Sequence, residues 1–290
     1  MTQRIGFMQG RLCEMVDGKI QAFPWRDWQT EFPTASSIDL YLMEWTLDQD
    51  RLYENPLMTI EGRNTIKALC RRYCITIPSL TGDCFMQAPF WKAKDQNLLD
   101  LRADFLEICH SCVEVGIKMV VVPLVDNGRL DNIEQENILI DFLLEQQPFF
   151  LENNLMVIFE SDYAPAELAR FIGRLPPESF GINYDIGNSA ALGFNPAEEF
   201  AAYGERVNNV HVKDRVFQGT TVPLKTGDAD FDVVFRELAR NNYHGNFILQ
   251  TARSFIGNHA EVLCDYRDIV AQWIRQYRLR PFSEALASDS

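Results

Sequence analysis

The chain has 290 residues, 47% of them hydrophobic, enough for one large α/β barrel or two ordinary domains. Its 27 Lys and Arg against 41 Asp and Glu leave a net charge of −14, which argues against a general nucleic-acid or anionic-membrane surface. No apolar run approaches the roughly 20 residues of a membrane span, the first residues lack a signal-peptide apolar region, and the seven scattered Cys fit reduced thiols, so a cytoplasmic protein is expected.

From the first residues onward one unit repeats: a short apolar run, a polar loop and an amphipathic segment, with no compositional break to mark a linker. Strands are predicted at Ile5–Met8, Leu40–Trp45, Ile75–Leu80, Met119–Pro123, Leu155–Glu160, Phe180–Asp185, Val207–Val212 and Asn246–Gln250. Helices are predicted near Trp28–Ser37 and at Ile60–Tyr73, Asp95–Val115, Ile133–Asn153, Ala164–Ile172, Pro196–Tyr203, Phe231–Asn241 and Asn258–Tyr277. Eight strands alternating with helices predict one parallel sheet closed into a (β/α)8 TIM barrel, a single domain over residues 1–280, with a flexible C-terminal tail at 281–290. The turn after the first strand reads Gln9-Gly10-Arg11-Leu12 and lacks G-x-G-x-x-G, which argues against a dinucleotide fold.

Three loops that follow strand C-termini are long. The first holds a hairpin-like Val16-Asp17-Gly18-Lys19 and then Phe23, Trp25 and Trp28; the third carries Phe85, Phe90 and Trp91; the seventh, Arg215–Asp230, is rich in Gly and Thr. The aromatic residues could form a water-excluding lid or pack against the barrel, and the sequence favours neither.

The last residues of four successive strands carry the chemistry. If Phe159, Tyr184, Val210 and Leu249 meet the helices, alternation points Glu160, Asp185, His211 and Gln250 into the barrel mouth. Two carboxylates, an imidazole and an amide oxygen make a shell for one divalent metal ion, Mn, Zn, Mg or Co. One polar strand end alone would be a loop anchor; four at matching depth are harder to explain that way.

At these residues the sequence resembles the xylose-isomerase-like barrel superfamily, which includes sugar-phosphate isomerases and epimerases, ketose 3-epimerases, inosose dehydratase and related apurinic endonucleases. The resemblance rests on Gly6-Phe7-Met8-Gln9-Gly10-Arg11-Leu12, Tyr184-Asp185-Ile186-Gly187-Asn188, His211-Val212-Lys213-Asp214 and Thr226-Gly227-Asp228-Ala229-Asp230-Phe231, and it covers nearly the whole chain. It implies that Glu160, Asp185 and His211 are metal ligands and that a small sugar or sugar phosphate is the substrate. Two departures stand out. The 3-epimerases of the family carry a second glutamate where this chain has Gln250, and many relatives have a histidine where it has Asn188. With only His110, His211, His244 and His259, the chain lacks the histidines that a three-zinc endonuclease needs.

The expected reaction is therefore isomerisation or epimerisation by proton abstraction alpha to a carbonyl, with Glu160 as base. A second proton-transfer group would have to come from Lys213 or Glu44. A dehydratase, or a non-catalytic sugar-binding protein on a degraded barrel, are the alternatives. Arg11, Arg215 and Arg253, each just past a strand end, are candidate substrate anchors for a phosphate, and Asn183, Asn188, Asn209 and Asp126 for hydroxyls. Nucleic acid and membranes are not expected as partners, and a homo-oligomer is left open. Cys109-His110-Ser111-Cys112 has C-x-x-C spacing but no second pair, and reads as part of a helix.

Overall fold

The structure, a computed structural model, describes residues 4–279. The tail expected at 281–290 lies outside the described residues. Eight parallel strands close into a barrel in the order one, eight, seven, six, five, four, three, two. They run Ile5–Met8, Leu42–Leu47, Thr76–Gly82, Met119–Leu124, Met156–Ser161, Phe180–Asp185, Val207–Val212 and Asn246–Leu249. The first, sixth and seventh match the expected bounds. The second starts two residues late, because Asp39 turns the chain at φ 57° and Leu42 is the residue that pairs with Gly6. The third runs on to Gly82, since Thr81 and Gly82 still pair with Thr46 and Leu47.

Each strand sends alternate residues to the helices. Phe159 packs on Phe171 with ring centroids 5.1 Å apart, Tyr184 on Phe200 at 4.9 Å, and Phe247 stacks on Phe235 at 5.3 Å. The opposite residues fill the barrel, and there the lining is unusually polar. Buried Glu44, Ser79, Thr81, Asn183, Asn209 and His211 share the interior with aliphatic side chains such as Ile248. Gly6 has no side chain because a Cβ there would meet Leu42 at 2.7 Å and Ile248 at 3.0 Å. Polar groups in so dry a place are tolerated only when hydrogen-bonded to one another.

The helices Ile60–Tyr73, Asp95–Val115, Ile133–Asn153 and Pro196–Tyr203 have the expected bounds. Their ends carry local signals. Thr59 and Asn132 accept from the N–H groups of Gly62 and Gln135, and Gly116 closes its helix at φ 89°. Two short helices were not expected, Asp83–Gln87 and Ile186–Leu192. Val16–Lys19 does turn, with Asp17 and Gly18 at positive φ and Lys19 N–H bonded to the Val16 carbonyl, but no strands flank it among the described residues. Phe23, Trp28, Phe85, Phe90 and Trp91 are buried, so the aromatic loops pack against the barrel wall.

Candidate active site and metal centre

Glu160, Asp185 and His211 project from the ends of the fifth, sixth and seventh strands, and one donor atom of each lies within 4.8 Å of the others. His211 Nδ1 is 3.2 Å from Glu160 Oε2 and 3.9 Å from Asp185 Oδ2. Glu160 is held at both oxygens: Asn188 Nδ2 donates to Oε1 at 2.6 Å and Asn183 Nδ2 to Oε2 at 3.1 Å. Asp185 uses Oδ1 to cap the helix Ile186–Leu192, accepting from Asn188 N–H at 2.9 Å. That cap swings Asn188 over Glu160.

Beneath the triad lies a polar pedestal. Glu44, from the second strand, is fully buried and accepts from Ser79 Oγ at 2.6 Å, from Thr81 Oγ1, from Asn209 Nδ2 at 3.0 Å and from His211 Nε2 at 2.7 Å. Burial alone would push its carboxyl up, but the facing His211 and the hydroxyl donors hold it below the usual range. A carboxylate at Nε2 fixes the ring and its tautomer. Asn183 accepts from Asn209 and sets its NH2 3.0 Å from His211 Nδ1, which also lies 3.2 Å from Glu160 Oε2, so that nitrogen can carry a proton toward Glu160 or offer a lone pair. Burial would lower the imidazole pKa, yet Glu44 and Glu160 push it up to about 10. A proton and a metal ion therefore compete for the same lone pair. Glu160 is held below its ordinary value, chiefly by His211 acting against burial, while burial and the neighbouring Glu160 charge push Asp185 up.

These groups fit a divalent ion. Three mixed donors converge, the nitrogen ligand has its outer nitrogen anchored to a carboxylate, and buried Asp185 Oδ2 makes no hydrogen bond of good geometry. A cation already faces that oxygen: Lys213 Nζ lies 2.6 Å from Asp185 Oδ2 and donates to Gln250 Oε1 at 2.9 Å. Gln250 thus points to the mouth, its carbonyl oxygen turned toward the cationic position.

The remaining candidates are distributed differently. Arg253 donates to the Gly10 carbonyl from Nε and Nη2, at 3.0 and 2.7 Å, and to the Ile20 carbonyl from Nη1, clamping the first loop. Arg215 donates to the Gly219 carbonyl and, at 2.8 Å, to Asn188 Oδ1. Arg11 is buried, with longer bonds to the Ile20 carbonyl and Gln21, and its Nε has no partner. Burial and neighbouring Arg253 lower its pKa to about 9.

A family model described as a xylose isomerase-like TIM barrel matches residues 32–274. The chain belongs to the xylose isomerase-like TIM barrel family. Among solved structures in the same fold, the IOLI protein crystallised with a bound zinc atom has a TM-score of 0.71 at 14% identity, covering 95% of this chain and 99% of that one. The 3-keto-D-glucoside 4-epimerase of E. coli has a TM-score of 0.66 at 16% identity, covering 93% and 98%. A D-allulose 3-epimerase from Methylomonas sp. has a TM-score of 0.71 at 12% identity, covering 93% and 97%. No curated protein matches the chain by sequence.

Within this xylose isomerase-like barrel, two mouth residues escaped sequence reasoning. Gln21, in the first loop, accepts from Gln250 Nε2 and donates to Asp83 Oδ2, both at 2.8 Å. Asp83 directly follows the third strand. Its position two residues beyond Thr81 and four beyond Ser79 was the available signal, because both of those side chains face inward onto Glu44. His244 lies at the opposite end of the barrel, in the wall of a cavity of about 490 Å3 that contains none of the triad.

Proposed function

We propose that this protein is a divalent-metal-dependent isomerase or epimerase of a small sugar, acting by proton abstraction alpha to a carbonyl. The observation that carries the reading is the Glu160 carboxylate, kept ionised at the barrel mouth and aimed by Asn183 and Asn188 beside His211 and Asp185. Glu160, Asp185 and His211, with the Gln250 amide oxygen as a neutral fourth donor, would hold the ion. When bound, such an ion supplies Lewis-acid polarisation of a carbonyl.

The chain's own groups do the rest. Glu160 takes the proton, and its two amide partners fix the direction from which it does so. Lys213 provides a positive charge beside Asp185, suited to an enediolate oxygen. Glu44 acts as a positioning residue, since both its oxygens are occupied beneath His211. Arg253 and Arg215 are occupied largely by backbone carbonyls, which supports an uncharged sugar over a sugar phosphate. Asn183 and Asn188 are engaged with Glu160, and Arg11, whose Nε lacks a partner, is the residue we assign to substrate contact.

The test is a panel of aldoses and ketoses in D2O with added Mn2+. Solvent deuterium should enter next to the carbonyl without loss of water, and Glu160→Gln should fold normally and lose turnover by at least about 1,000-fold. Loss of water would redirect the reading to a dehydratase. Near wild-type turnover by Glu160→Gln would remove the base assignment.

A further inference from the structure

We propose that Asp83 is the second proton-transfer group of the site, serving the face of the substrate that Glu160 does not reach. This rests on the isomerase reading above and deepens it from an undivided isomerase or epimerase to an epimerase.

The geometry begins in the third strand. Ser79 and Thr81 point into the barrel and bond to Glu44; Asp83, one residue past the strand at the start of the next helix, meets Gln21 at the mouth and is 8% exposed. From there a hydrogen-bonded belt crosses the opening. Asp83 accepts from Gln21, Gln21 accepts from Gln250, Gln250 accepts from Lys213, and Lys213 pairs with Asp185. Asp83 thus stands two hydrogen bonds from Gln250, the amide found where an acid would be needed for two-base chemistry. The other buried carboxylates near the mouth are committed elsewhere. Glu44 is locked under His211, Glu31 accepts from the N–H groups of Gly10 and Leu12, and Asp214 accepts from those of Gly227 and Ala229.

The electrostatic setting agrees. Burial, with the charges of Asp48 and Glu160, pushes Asp83 up to about 7 against the opposing Gln21 bond and Arg11, so near neutrality it can hold or release a proton. In the forward step Glu160 takes the proton from the carbon beside the carbonyl, and the C–H pair moves to form the enediolate. Protonated Asp83 then delivers its proton to the other face of the same carbon, and the carbonyl re-forms. Water returns a proton to Asp83 and removes one from Glu160, leaving only the inverted centre.

The experiment uses the Mn2+-loaded protein with D-fructose and D-tagatose in D2O. Two quantities are followed by NMR: deuterium entry into unreacted sugar and formation of its epimer. Asp83→Asn is expected to cut epimer formation by at least about 100-fold, while deuterium entry falls less than about tenfold, because Glu160 still removes and returns a hydron on its own face. Asp83→Glu should restore part of the epimer yield. Epimer formation by Asp83→Asn within about threefold of wild type overturns the proposal. Should that variant not fold, Asp83→Ser, which also removes the carboxyl, is read instead, and an unchanged ratio of exchange to epimer there overturns it equally. Wild-type protein that neither exchanges nor converts either ketose, while active on aldoses, also overturns it. Wild type silent on every sugar removes the isomerase reading itself, and this role with it.

Discussion

His211 meets a carboxylate on each side, and the two do different work. Glu160 shares the Nδ1 side with the candidate metal position, while Glu44 holds Nε2 from below. Replacing Glu44 by Gln keeps an acceptor near His211 but removes the charge that raises the ring's basicity. Mn2+ affinity, measured by titration calorimetry, should fall about 10- to 100-fold with the fold retained. An unchanged affinity would show that the pedestal supports only the barrel interior. At this scale the triad was legible, because Glu160, Asp185 and His211 each end an apolar strand at the same depth. Gln21 was not, since a loop residue's direction depends on partners far away in sequence, and Asp83 offered only its spacing from Ser79 and Thr81. Arg253 illustrates the reverse: a cation just past a strand end suggested an anion anchor, and the structure gives its hydrogen bonds to carbonyls of the first loop.

The first loop is the element most dependent on distant support. Gly10 sits at φ 87°, its N–H bonded to Glu31 and its carbonyl to Arg253. Arg253→Met should destabilise the protein by about 2 kcal/mol, the typical worth of charge-assisted hydrogen bonds. It should also expose the segment between Gly10 and Gln21 to limited proteolysis, a cleavage pattern that wild type does not share. No new cleavage would mean that Glu31 alone secures the loop. The long helices could be read from periodicity and caps. The helix Ile186–Leu192 could not, because Gly187 and Asn188 read as loop. Its start depends on the Asp185 cap, and Gly187 is needed because a Cβ there would lie 2.7 Å from the Lys213 side chain.

For the whole molecule, the alternation of eight strands with helices made the barrel legible, and its closure required only that the first and last strands pair. Its polar interior leaves a mark on stability. Burial pushes Glu31 up to about 7 from its ordinary 4.5, against the N–H donors of Gly10 and Leu12. Between those values the folded chain binds more protons at this site than the unfolded chain does. The Glu31 contribution is therefore full below pH 4.5 and is lost as pH rises through about 7. Urea melts of wild type and Glu31→Gln at pH 4.5 and pH 8 should show the wild-type advantage shrinking by about 3 kcal/mol. An advantage independent of pH would place Glu31 in the same ionisation state in both forms.

The clamp between Arg253 and Gly10 joins residues 243 positions apart. A contact of that separation costs chain entropy that is recovered only after the intervening strands have assembled. During synthesis the first strand emerges early, but its loop has no lasting shape until the eighth strand is in place. The mouth is thus completed last, and a partly folded barrel holds Glu160, Asp185 and His211 without the loop that brings Gln21 between Asp83 and Gln250. Refolding followed by two reporters, far-UV circular dichroism for the wall and ligand binding for the mouth, would see the second lag behind the first.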